Sequence, residues 1–84
     1  MVEIAHVIAD SLGLHARPVT RIASEAARWE SEVTVCHDGR VAPACDVMAL
    51  MGLEAAQGDT IAVRIEGPDE RDAKDFFEHL LRDL

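Results

Sequence analysis

Basic residues are scarce in this sequence. The 84-residue chain has 8 Lys and Arg against 16 Asp and Glu, a formal charge of −8. Nucleic acids and anionic membrane surfaces are held by clustered cations, so this balance argues against both as partners. Cysteine is scarce too: Cys36 and Cys45 are too few and too widely spaced for a zinc motif or a disulfide framework. No apolar run approaches the roughly 18 residues of a spanning helix, and no basic-then-apolar leader is evident. The expectation is a cytoplasmic, reduced protein without direct membrane insertion. There is no internal repeat, low-complexity tract or linker. A chain this short buries roughly 60–65% of its extended surface. That supports one two-layer core over residues 1–84 and excludes a dinucleotide-binding domain or a large enclosed cavity.

Hydrophobic residues make up 49% of the chain, which argues against disorder. The charge is unevenly placed. Up to Glu30, three arginines (Arg17, Arg21, Arg28) nearly balance four acidic residues, and most of the negative charge lies beyond. An anionic ligand is best accommodated in that first, least acidic third.

Residues 2–8 read as a strand with Ile4, His6 and Ile8 on one face. Pro18 suits the first turn of a helix, and Val19, Ile22, Ala23 and Ala26 follow as an apolar stripe, with Arg17, Thr20, Arg21, Ser24 and Arg28 off it. Trp29 is expected to cover the end of that helix. Glu32 to Cys36 is a β-prone run, and His37-Asp38-Gly39 turns it into a short strand over 40–42 that Pro43 ends or marks as an edge. Asp46 can cap a short helix carrying Val47, Met48, Leu50 and Met51. Thr60 to Glu66 alternates as a last strand with Ile61, Val63 and Ile65 inward. Asp69 then suits an N-cap for a final helix whose Ala73, Phe76, Phe77, Leu80, Leu81 and Leu84 form one apolar face. The order is β-α-β-β-α-β-α. Helices with single apolar stripes must cover a sheet, which predicts an α+β open-faced β-sandwich: a four-stranded, mainly antiparallel sheet with three helices on one face.

Gly13-Leu14-His15-Ala16-Arg17-Pro18 carries the chemistry. A glycine-assisted turn delivers His15 to a helix start, where the first backbone N–H groups, those of Ala16 and Arg17, are free to hold an anion. The Arg17 guanidinium adds a planar fork of donors for phosphate oxygens. Imidazole has a neutral nucleophilic nitrogen near pH 7. The segment therefore suits a histidine that accepts a phosphoryl group covalently and passes it on. A lone histidine near a helix start also suits a plain capping or surface role, and the residues alone leave both readings open.

This segment resembles the active-site signature of the histidine-containing phosphocarrier (HPr) family. The similarity extends along the chain, through Asp46-Val47-Met48-Ala49-Leu50-Met51 and Gly67-Pro68-Asp69-Glu70. The resemblance implies a phosphorelay without turnover of its own. Enzyme I, charged from phosphoenolpyruvate, would phosphorylate His15 on Nδ1, Arg17 would stabilise the phosphate, and an Enzyme IIA protein or domain would receive it. No cofactor or metal is implied, and a monomer is expected.

Two positions depart from the family pattern. Leu12 stands where many members place Ser or Asn before the glycine, and Asp46 stands at the regulatory serine position of some members. Asp46 cannot be a phosphoserine site; it reads as a helix cap or as a weak imitation of phosphoserine. Leu12-Gly13 and Val47 to Met51 are more similar to the nitrogen-related branch of the family than to the sugar-transport branch. Val47, Met48 and Met51 exceed what a two-turn helix can bury, and with Val19, Thr20 and Arg21 they form a candidate partner surface. Filling of core space is the alternative for the methionines. An HPr-like regulatory module acting by docking alone is the competing function. A metal or redox role for Cys36, Cys45 and a histidine has little support from their spacing. Cys36 and Cys45 are expected to be small core or half-buried residues, and His6, His37 and His79 show no ligand spacing.

Overall fold

The computed structural model describes residues 1–84. Its elements are β1 (Val2–Val7), α1 (Ala16–Ala26), β2 (Glu32–His37), β3 (Arg40–Pro43), α2 (Val47–Met51), β4 (Thr60–Glu66) and α3 (Glu70–Arg82). This is the expected order. The boundaries differ by a residue: β1 stops at Val7, although Ile8 still points inward and is buried, and β3 runs through Pro43. Pro43 is tolerated because β3 is an edge strand with a free side.

The sheet order is β1-β4-β2-β3, and every pairing is antiparallel rather than mainly so. The last strand in sequence thus lies between β1 and β2. Its Val63 pairs with Ile4 on one side and Val35 on the other. Strand alternation places Ile61, Val63 and Ile65 against the helices, all buried. Glu3, Ala5, Val7, Thr60 and Arg64 face the uncovered side, where an exposed cross-strand pair joins Arg64 Nε to Glu3 Oε2 at 3.0 Å.

The α1 stripe of Pro18, Val19, Ile22, Ala23 and Ala26 is buried throughout, as are Ala73, Phe77, Leu80 and Leu81 of α3. Trp29 reaches beyond the end of α1 and packs on Phe76 of α3, ring centroids 5.6 Å apart. These contacts lock the two long helices onto one sheet face, with Phe77 and Ile22 the largest fully buried side chains.

Asp69 does not cap α3 with its side chain. Its carboxylate instead accepts from the Ser31 amide at 2.9 Å, the Glu30 amide at 3.0 Å and the Ser31 hydroxyl. The start of α3 is thereby tied to the start of β2. Gly67 lies so close to Ser31 that a Cβ would fall 2.6 Å from Ser31 Cα, so only glycine fits. Cys36 is half-buried in β2, whereas Cys45 is exposed, against the expectation of a half-buried site: it lies in the bend between β3 and α2, where no element covers it.

Candidate functional site

The chain leaves β1 and turns through Asp10 to Gly13 before α1 begins. Asp10 organises this turn: its carbonyl accepts from the Gly13 amide at 2.9 Å and its Oδ1 from the Leu12 amide at 2.8 Å. This is the Asx-type geometry that short acidic side chains favour. Gly13 adopts φ +67°, and a Cβ there would lie 2.6 Å from the Ala55 carbonyl oxygen. The Leu14 amide donates to that same oxygen at 2.9 Å. The loop after α2 therefore forms a wall on which the turn is pinned, and the turn sets His15 at the helix start.

His15 is the N-cap residue of α1, in extended conformation and with no side-chain capping bond. Its ring is therefore not spent on the helix, unlike the plain capping role left open by the residues alone. The His15 carbonyl accepts from the Val19 amide at 3.1 Å, the first intrahelical bond. Pro18 has no N–H, so the free donors of the first turn are the amides of Ala16 and Arg17. Arg17 is exposed and forms no ion pair, and the same holds for Arg21. Both arginines border a surface cleft of about 200 Å³ shared with Asp10, Pro18, Asp83 and Leu84. The first turn of α1 thus carries two free amides and the unpaired Arg17 guanidinium next to a partly exposed imidazole, with the unpaired Arg21 one turn further along. The set is suited to a phosphoryl group.

One member of this site escaped the sequence reading. Asp10 Oδ2 lies 3.1 Å from His15 Nε2, with the two side chains about one-third exposed, at 35% and 28%. The Leu12 amide first, and then the His15 ring, hold the Asp10 carboxyl below the usual carboxylate range. The signal for it was an acidic residue in a turn five positions ahead of the histidine, which the strand and helix periodicities pass over.

The expected partner surface divides. Thr20 and Arg21 are exposed on α1, Met48 is 80% exposed and Met51 is 43% exposed. Val47 is only partly exposed and packs on the core. Val19 is fully buried, so it cannot face a partner. It belongs to the same α1 face as Ile22 and Ala23, which the sheet covers. Asp46 caps α2, its Oδ1 accepting from the Ala49 amide at 3.1 Å.

His37 ends β2 rather than lying in the turn. Its Nδ1–H donates to the Leu53 carbonyl at 2.9 Å, and its Nε2 meets Asp59 Oδ2 at 3.0 Å. Asp59 also accepts from the Ala56 amide at 2.9 Å. His37 is therefore a tie for the loop that supports the Asp10–Gly13 turn. His6 faces inward but remains half-buried, and burial pushes its imidazole below the ordinary value. In α3, His79 Nδ1–H donates to the Asp75 carbonyl at 2.8 Å.

Comparison with known proteins identifies the family. A family profile described as the PTS HPr component phosphorylation site matches residues 2–83. The phosphocarrier protein HPr of Xylella fastidiosa strain 9a5c is 35% identical over 80 residues, spanning 95% of this chain and 90% of that protein. The Cupriavidus necator HPr is 35% identical over 74 residues, spanning 88% and 83%. Among solved structures, a mycoplasma histidine-containing phosphocarrier protein superposes with a TM-score of 0.94 at 26% identity, covering 98% of this chain and 93% of the other. HPr from Thermoanaerobacter tengcongensis gives 0.90 at 30% identity, covering 98% and 92%. With a profile spanning nearly every residue and relatives matched over almost their whole length, the chain belongs to the HPr family, phosphocarriers of the phosphotransferase system.

Proposed function

We propose that His15 is the phosphoryl acceptor of this phosphocarrier. Family membership makes the chain a carrier that interacts with phosphotransferase-system enzymes, not an independent catalyst. The observation that supports His15 as the acceptor is its ring at the N-terminus of α1, beside the free Ala16 and Arg17 amides and the unpaired Arg17 side chain. Enzyme I donates the phosphoryl group, and an Enzyme IIA protein or domain receives it. The Ala16 and Arg17 amides and the Arg17 guanidinium hold the phosphate oxygens while the group resides on the ring. Thr20, Arg21, Met48 and Met51 form the docking surface, with Val47 at its margin. Asp46 serves as the cap of α2. The protein acts as a cytoplasmic monomer.

Incubation with Enzyme I and phosphoenolpyruvate tests this reading. An acid-labile, base-stable phosphohistidine is expected in the wild-type chain and absent from His15→Ala. Label persisting in His15→Ala would overturn the assignment. Partner binding without any phosphorylation would favour the regulatory module instead.

A further inference from the structure

The contact between Asp10 and His15 has a direction that chemistry supplies. A carboxylate can only accept, so the short approach of Asp10 Oδ2 to Nε2 calls for a proton on Nε2, and in the neutral ring that leaves the lone pair on Nδ1. Nor is the carboxylate a loosely placed surface group. Its other oxygen is engaged by the Leu12 amide, its own carbonyl by the Gly13 amide, and the preceding Ala9 carbonyl by the Gln57 side chain at 3.0 Å. The turn that orients Asp10 and the wall that positions Leu14 together set both ends of the hydrogen bond.

We infer that Asp10 is a positioning residue for phosphoryl transfer: it holds His15 as the Nε2–H tautomer, directs the phosphoryl group to Nδ1, and stabilises the ring cation formed by the transfer. This rests on His15 being the acceptor. In the transfer step the Nδ1 lone pair forms the N–P bond. The bond from phosphorus to the donor's leaving atom breaks, and its electron pair departs with that atom. The proton stays on Nε2, so the neutral imidazole becomes a cation. The Asp10 carboxylate contacts that cation at Nε2 and leaves Nδ1 to the incoming phosphate. Arg17 attracts the phosphate but repels the ring cation, and Asp10 offsets the repulsion. On onward transfer the N–P bond breaks, its pair returns to Nδ1, and the ring is neutral again.

Two variants separate the two roles. Asp10→Asn keeps a side-chain oxygen that can accept from Nε2–H or the Leu12 amide but removes the charge; Asp10→Ala removes both. The full chain, labelled with nitrogen-15 at histidine, reports the ring tautomer by long-range proton–nitrogen NMR, and phosphorylation by Enzyme I with phosphoenolpyruvate gives the transfer rate. The expected wild-type spectrum has the proton on Nε2. Asp10→Asn should retain that pattern and transfer about tenfold more slowly, the difference between a charged and a neutral acceptor. Asp10→Ala should lose the tautomer bias and be slower still. A wild-type ring protonated on Nδ1 at high pH, or wild-type rates in both variants, would overturn the role of Asp10 while labelling of His15 persists. Absence of label on wild-type His15 would instead remove the acceptor reading.

Discussion

The Leu14 amide donates to the Ala55 carbonyl at 2.9 Å, one residue ahead of His15. The loop after α2 therefore builds the site without contributing a reacting group. Gly13→Ala probes this wall: its new Cβ would meet the same carbonyl oxygen at 2.6 Å in a backbone conformation that disfavours side chains. Stability should fall by more than about 1 kcal/mol, and phosphorylation of His15 should slow in the folded fraction. Thermal melting and transfer assays at a temperature below both transitions check the two effects separately.

Mutation should separate the proposed docking residue Met48 from the core residue Val19. Met48→Ala should leave stability within about 0.5 kcal/mol, because its side chain is 80% exposed, yet slow transfer from Enzyme I. Val19→Ala should do the reverse, losing about 2 kcal/mol through a buried cavity while the folded protein transfers normally. Urea unfolding paired with transfer kinetics distinguishes these outcomes.

Phe77 joins α3 to the sheet and is 1% exposed. Phe77→Ala should cost about 3–5 kcal/mol, a large fraction of the stability of so small a domain. The denaturation midpoint measures the loss.

Acid should loosen the tie between α3 and β2. The Ser31 hydroxyl, followed by the Glu30 and Ser31 amides, holds the Asp69 carboxyl below the ordinary range. A depressed folded value contributes stability that is fully present above the unfolded pKa of about 3.9 and is lost as pH falls through the folded value. Asp69→Ala should therefore be less stable than wild type at pH 7, with the gap narrowing as pH falls below the unfolded value and through the depressed folded one. Denaturation curves from pH 7 to 2 test the closure.

His37 should couple the sheet to the site's supporting loop. In His37→Ala the Leu53 carbonyl and the Asp59 carboxylate lose their ring partner. Amide exchange at Ala56 and Gly58 is expected to accelerate more than exchange in β4. Hydrogen-exchange mass spectrometry or NMR resolves the two regions.

Local chemistry by itself determined much of this protein. The α1 stripe, the alternation of β4 and the cap at Asp46 are short-range patterns that appear as the residues predict. The α3 stripe holds at Ala73, Phe77, Leu80 and Leu81, while Phe76 is only partly buried and Leu84 lies past the helix end. His15 and Arg17 were legible because a glycine, a proline and a helix start lie within six consecutive residues. Only the tertiary structure decided that β4 enters between β1 and β2, since no local pattern encodes strand order. It also decided that Asp69 serves Ser31 across 38 residues rather than its own helix, and that Asp10 folds back onto Nε2 of His15. Periodicity tells which face a residue occupies. What that face meets depends on contacts between segments distant in the chain, and there the turns, not the regular elements, set the geometry of the site.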